Sequence, residues 1–404
     1  MTKFTIALAL VLSTSMGVSA RAANKPLMVY ILAGQSNMQG HAHVRTLGHI
    51  GMDPQTAPIL REIRNADGTP RVHQHVWISS IDSNAKDAER HGRLTTGYGA
   101  SGREKKIGPE LTFGITMHKH VGGPVLIIKT AWGGKSLHTD FRPPAAGPYR
   151  FNDQQLENLK KQGKDIEGAR ADRARATGVY YRLMMTHIKK VLGDIKRVVP
   201  DYDARRGHRL AGFVWFQGWN DMVDRGTYPN RSRPGGYDRY SQVMTHFIRD
   251  VRKDLSAPKL PFVIGVMGAG GPTEKYGPDQ RRYKPIHDEF RKAMAAPAAL
   301  PEFRGNVLAV LTENYWDQQL SELVTRRGKV NAKRRQLSKD KSLDAKAVKA
   351  LVEAYTSELF TKRELEILKA GQSNAAYHYL GSAKILARIG KAFADAQAKL
   401  AIEY

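Results

Sequence analysis

The chain has 404 residues, no cysteine, and 64 Lys and Arg against 38 Asp and Glu, a formal net charge of +26 with pI near 10.1. The missing cysteine excludes thiolate nucleophiles, thiolate metal sites and a disulfide framework. The length suits one large α/β domain or two smaller ones, and the charge predicts attraction to polyanions, acidic polysaccharide or anionic envelope before nucleic acid. At the start of the chain, Lys3 precedes a short apolar run, Phe4 to Leu12, and two small-residue cleavage patterns end at Ala20 and Ala22. Residues 1–22 therefore read as a secretory signal peptide and the product as secreted or periplasmic. No later apolar run is long enough for a transmembrane helix.

Leu27-Met28-Val29-Tyr30 begins a buried strand, broken by the polar stretch Gly34-Gln35-Ser36-Asn37-Met38. A serine just past such a strand stands where open α/β sheets bind ligands. Residues 41–106 form a polar excursion with Val76 to Ile78 as a strand within it. A helix is expected from Pro109 to about His120, then a second strand at Val125 to Lys129 ending in Ala131-Trp132-Gly133-Gly134. The pattern continues with a helix over Thr177 to Leu192 and a third strand over Leu210 to Phe216. A helix over Tyr237 to Leu255 follows, then strands at Pro261 to Met267 and Asn306 to Leu311. Strands separated by helices argue for a doubly wound, mostly parallel, five-stranded α/β sheet. Residues 320–370 are strongly basic with helical spacing and read as a helical insertion, and Lys384 to Leu400 as the closing amphipathic helix. Residues 23–404 thus form a single domain.

Gly34-Gln35-Ser36-Asn37-Met38, Gly218-Trp219-Asn220-Asp221 and the Tyr377-His378 segment, in that order, resemble the SGNH hydrolases. The branch they resemble is the sialate O-acetylesterase-like domain, with the acetylxylan esterases of carbohydrate esterase family six. The resemblance implies a flavodoxin-like three-layer sandwich and a secreted serine esterase that removes O-acetyl groups from a carbohydrate. It casts Ser36 as nucleophile and His378 as general base. Backbone N–H groups of Ser36 and of Gly133 or Gly134, with the Asn220 side chain, become oxyanion donors. No cofactor and no metal are implied.

One position departs from the family. An Asp usually stands three residues before the histidine, and here that residue is Ala375. Glu313, just past the fifth strand, is the first substitute as orienting acid, with Asp221 and Asp317 behind it. The missing Asp also leaves open a catalytically weak or inactive homologue that binds carbohydrate. Gln35, Trp132, Gln217 and Trp219 are candidate substrate-binding residues; Trp132, Trp215, Trp219 and Trp316 all lie near expected strand ends, where an aromatic face could stack on a sugar ring, with core packing the equal alternative for Trp215. His41 with His43, and His73 with His75, have alternate spacing but no matching carboxylates for a metal. A second Gly-Gln-Ser-Asn, at Gly371 to Asn374, has no strand before it and reads as coincidence.

Overall fold

A computed structural model describes residues 25–82 and 88–402. The proposed signal peptide lies outside the described residues. Among the described residues nine strands occur: β1 (Leu27–Gly34), β2 (Ala42–His43), β3 (His73–Ile81), β4 (Arg90–Leu94), β5 (Lys106–Ile107), β6 (Val125–Ala131), β7 (His208–Phe216), β8 (Phe262–Val266) and β9 (Val307–Leu311). Seven of them form one sheet in the order β4-β3-β6-β1-β7-β8-β9, while β2 and β5 make a small antiparallel ribbon. Only β4 runs antiparallel within the large sheet.

The sheet is therefore seven-stranded, not five-stranded. The excursion at 41–106 contributes β3 and β4, and β3 pairs in parallel with β6 over Val76 to Ile81. The sequence concealed β4 because an edge strand reading Arg-His-Gly-Arg-Leu carries no apolar alternation.

Both faces of the sheet are covered, so its central strands are apolar on both sides. Alternation decides which side chain goes where. Tyr30, Leu32, Ile127, Val214 and Phe216 point into one core, with helices Glu110–Val121 and Ala383–Ile402. Val29, Ile31, Ala33, Ile128, Phe213 and Trp215 point into the other, with helices Val179–Gly193 and Asp238–Asp254.

Chain order reverses about β1, which places a topological switch point there, the usual ligand crevice of such sheets. Register makes the crevice level: Gly34 pairs with Ala131 on one side and with Phe216 on the other. The three strands end together, so Ser36, Gly133 and Asn220 all follow at the same height.

The basic insertion folds as helices Gln318–Leu337, Ala345–Leu359 and Lys362–Gly371. Asp317 and Asp344 cap the first two, and a Thr361–Glu364 capping box starts the third. Leu320, Leu323, Val330, Val352, Ile367 and Leu368 join the first core. Two of its arginines are structural. Arg326 binds Glu364 and the Leu359 carbonyl, and Arg327 binds Gln372. No helix among the described residues is long and apolar enough to cross a membrane.

Candidate active site

The turn after β1 is possible because Gly34 has φ +155°, and a Cβ there would meet the Phe216 carbonyl oxygen at 2.2 Å. The chain then enters the short helix Ser36–Gln39, which places Ser36 at a helix start over the sheet. Beneath it, the fully buried Lys129 ammonium donates to the carbonyls of Gln39 (2.7 Å) and Tyr98 (2.8 Å) and to Glu110 (2.8 Å). The same Glu110 accepts from the Gly108 N–H at 2.8 Å. A buried ion pair with all these bonds ties the Ser36–Gln39 helix to the loops around it.

Gln35, Ser36, Gly133, Gly134, Trp219, Asn220 and His378 line one cavity of about 520 Å³, together with Gln39, His41, Ala100, Ser101 and Tyr377. Chain segments separated by more than three hundred residues thus meet at the strand ends. Gly134 has φ +74°, which favours glycine on conformational grounds alone, because the space beside it is open.

Gln35 organises the far wall. Its Oε1 accepts from the N–H groups of Gly218 (3.1 Å) and Asn220 (3.4 Å) and from Gln217 Nε2 (3.1 Å). Its Nε2 donates to Asn220 Oδ1 at 3.1 Å and reaches Ser36 Oγ at 3.5 Å. With its oxygen engaged by Gln35, Asn220 has its NH₂ group left for the cavity, the orientation an oxyanion donor needs. Gln35 therefore positions Asn220 as well as lining the cavity.

Gln217 and Asp221 lie behind this wall. Gln217 is 1% exposed and donates to Lys135 O and Asp221 Oδ2. It does not line the cavity, so the expectation that it touches substrate is corrected: it braces Gln35. Burial pushes the Asp221 carboxyl up. Its oxygens accept from the N–H groups of Leu137 (2.8 Å) and His138 (3.1 Å) and from the Tyr228 hydroxyl (3.2 Å), which fixes the loop carrying Gly133 and Gly134.

Trp132 is corrected in the same way. It is 1% exposed and packs edge-on to Tyr180 and against Phe141 in the second core. Alternation decides this: β6 ends at Ala131, and the next side chain turns away from the crevice. Of the candidate sugar platforms named above, only Trp219 faces the cavity.

His378 arrives on an unusual turn. Tyr379 (φ 52°) and Leu380 (φ 59°) are left-handed non-glycine residues, followed by Gly381 at φ 57°. Such backbone costs about 1–3 kcal/mol per residue and persists only when its surroundings hold it. The buried Tyr379 hydroxyl accepts from the Gly268 N–H (2.8 Å) and bonds Thr312 (2.6 Å). The Leu380 carbonyl accepts from the N–H groups of both Ser373 and Asn374.

This turn brings Asn374, four residues before the histidine, against the ring: His378 Nδ1 lies 3.1 Å from Asn374 Oδ1. That oxygen also accepts from the Ala375 N–H at 2.8 Å. An amide oxygen has no proton to give, so Nδ1 is the donor and Nε2 is left as acceptor. Burial first, and then the positive charge of Lys106, lower the His378 pKa to about 4. His41 stacks flat on the same ring, with centroids 4.0 Å apart and planes 3° apart. Burial, with His378 and Lys106 next, lowers the pKa of His41 to about 3. Both rings are therefore neutral at pH 7.

Glu313 does not reach His378. A 3₁₀ turn over Thr312–Tyr315 directs its carboxylate to Arg291, whose guanidinium also donates to the carbonyls of Met267, Ala269 and Gly271. Asp317 instead caps its helix and binds Lys384. The residue in the orienting place is Asn374. Its signal was the second Gly-Gln-Ser-Asn, read above as coincidence.

Among the described residues no group of three or more His, Asp or Glu side chains is arranged to hold a metal ion. The arrangement can carry acyl transfer: a hydroxyl, a neutral imidazole of defined tautomer, and amide donors around one cavity.

Residues 26–299 match the family model described as carbohydrate esterase, sialic acid-specific acetylesterase. Two solved structures are similar in fold. One is a carbohydrate acetylesterase from Xanthomonas citri, at 13% identity and a TM-score of 0.38, over 70% of this chain and 49% of that one. The other is a protein from Arabidopsis thaliana, at 16% identity and a TM-score of 0.40, over 83% of this chain and all of that one. The chain thus spans about half the length of the Xanthomonas structure. None of the curated proteins matches the chain.

Proposed function

Because the chain belongs to the sialic acid-specific acetylesterase family of carbohydrate esterases, we propose that it is an exported serine esterase removing O-acetyl groups from carbohydrate. One observation carries the mechanism: Asn374 holds Nδ1 of a histidine that shares a cavity with Ser36 and Asn220. His378 Nε2 accepts the Ser36 proton as Oγ attacks the acetyl carbonyl. The hydrogen bond between them forms in the substrate complex, where such bonds commonly tighten.

The carbonyl oxygen becomes an oxyanion, held by the Asn220 NH₂ group and by backbone N–H groups of Ser36 and of Gly133 or Gly134. The tetrahedral intermediate collapses, and His378 returns the proton to the departing sugar oxygen. Acetyl-Ser36 remains. Water then attacks it, giving its proton to His378. Acetate leaves, and Ser36 recovers the proton.

Export rests on Lys3 and the apolar run that follows it, and the N-terminus of the exported protein would test it. The charge of +26 favours an acidic polysaccharide as the acetylated partner, with the anionic envelope as a second attachment. The esterase reading is tested by hydrolysis of a chromogenic acetate ester. Ser36→Ala should lose the activity, and a rate equal to the parent's would eliminate Ser36 as nucleophile. A parent with no activity on any ester, but with measurable oligosaccharide binding, would favour the carbohydrate-binding alternative.

A further inference from the structure

A second cavity, of about 480 Å³, adjoins the first, because Trp219 and Tyr377 line both. Its size suits a ligand of its own. Its remaining walls come from helix Trp219–Val223 and from residues 269–287. Two features define what fits there.

The first is aromatic. Trp219 and Tyr377 meet at 5.5 Å with their planes tilted by 41°, and Tyr276 and Tyr283 line the same cavity. Tyr377 is 43% and Tyr283 40% exposed, high values for such large rings. The Tyr276 hydroxyl is bonded to His287 at 2.6 Å, so this wall is held in place. Ring faces of this kind pack against the C–H faces of sugars.

The second is charge. Arg225 and Arg231 line the cavity, and among the described residues no Asp or Glu does. Arg231 is anchored on the carbonyls of Met222 and Val223. Arg225 is exposed and, among the described residues, has neither an ion-pair nor a hydrogen-bond partner. An unpaired guanidinium beside aromatic rings suits a planar carboxylate.

We propose that this second cavity is a subsite for the sugar unit next to the acetylated one, and that the unit it takes carries a carboxylate, as a uronic acid does. The inference rests on the esterase reading for its orientation: with the acetyl group at Ser36, the saccharide chain leaves across the Trp219–Tyr377 wall. The subsite makes the protein an enzyme for acidic polymers and not for free acetylated monosaccharides.

The test uses binding as well as kinetics. In the Ser36→Ala background, an unacetylated uronate oligosaccharide and a neutral one of equal length are titrated calorimetrically. Tyr283→Ala should weaken both by about fivefold, the worth of one aromatic contact. Arg225→Gln should weaken only the uronate ligand, by about tenfold, as loss of a charge-assisted bond does. In the active protein, both variants should lower kcat/KM on an acetylated uronate oligomer. Hydrolysis of a small chromogenic acetate does not engage the second cavity and should not change.

Unchanged binding and an unchanged ratio of oligomer to small-ester kcat/KM in both variants would overturn the subsite. Equal loss of the neutral ligand in Arg225→Gln would overturn its carboxylate specificity. If Ser36→Ala hydrolyses esters like the parent while these binding losses hold, the esterase reading fails and the saccharide site stands.

Discussion

Asn374 is where the proposed mechanism departs furthest from an acid-assisted triad, so its replacement is the sharpest test. Asn374→Ala removes the acceptor 3.1 Å from His378 Nδ1. During acyl transfer the ring becomes an imidazolium, and that hydrogen bond becomes charge-assisted, worth about 1.5–3 kcal/mol. Its loss should lower kcat by roughly 10- to 150-fold. KM should stay near the parent's, because Asn374 does not line the cavity.

Asn374→Asp keeps the acceptor and adds a charge. At 3.1 Å the Coulomb attraction is about 5 kcal/mol at an effective dielectric of 20, an upper bound. Neighbouring opposite charges commonly move a pKa by about 1–3 units. The base acts only when neutral, so the parent's kcat/KM should fall off below about pH 4, the His378 value. In Asn374→Asp that acid limb should rise to roughly pH 5–7. The assay is the pH profile of kcat and KM on a chromogenic acetate, with thermal melts to confirm that each variant is folded. A folded Asn374→Ala with kcat within twofold of the parent, together with an unmoved limb in Asn374→Asp, would refute the orienting role.

Asn220→Ala should lower kcat by about 100-fold or more with little change in KM, because an oxyanion donor acts once charge has developed. A defect confined to KM would make Asn220 a ground-state contact instead. Lys129→Met should destabilise the fold by about 3–5 kcal/mol in a denaturant titration, since it leaves the Glu110 carboxylate buried and unpaired. A loss below 1 kcal/mol would contradict the bracing role given to that pair. Burial also lowers His73, His187 and His287 to about 4, alongside His378 at about 4 and His41 at about 3. Between pH 6.5 and 4 the unfolded chain binds protons at these sites and the folded chain does not, so stability must fall as pH falls, by up to about 1.4 kcal/mol per unit per group. Melting temperatures constant from pH 7 to 4.5 would show that these rings protonate freely in the folded protein.

The apolar runs around Val29, Ile127, Val214 and Ile264 announced the sheet, and their spacing announced helices between them. β4 stayed hidden because its edge position demands no hydrophobic pattern. Residue motifs pointed to Ser36, Asn220 and His378, but not to their supports. Glu313 was expected near His378 because it follows a strand that ends on the crevice side. Arg291, which claims it, comes from helix Lys284–Ala295, and no local pattern in the sequence links the two. Asn374 went unrecognised because its distance from His378 along the chain says nothing of the left-handed turn at Tyr379 and Leu380 that brings it to Nδ1. Trp132 and Gln217 illustrate the reverse error. Being near a strand end does not decide whether a side chain faces solvent, and alternation sends these two behind the wall.

The supports share a chemical character that bears on the mechanism. Gln35, Asn220 and Asn374 are all neutral amides, and each works by presenting one end to a fixed partner. A glutamate at 35 has no N–H for Asn220 Oδ1, so the donor orientation would be lost with one atom changed. A neutral orienter supports the imidazolium less than a carboxylate does, and Lys106 further disfavours that cation. In the proposed mechanism this lowers the attainable rate. Burial first, and then Lys106, keep His378 in its basic form far below the pH at which an ordinary histidine protonates. In that mechanism the same Lys106 charge that disfavours the imidazolium would favour an oxyanion forming beside it, and it would draw the proposed acidic saccharide toward the cavity. The proposed mechanism thus relies on charge placed around the reacting atoms where a triad relies on charge in contact with the base.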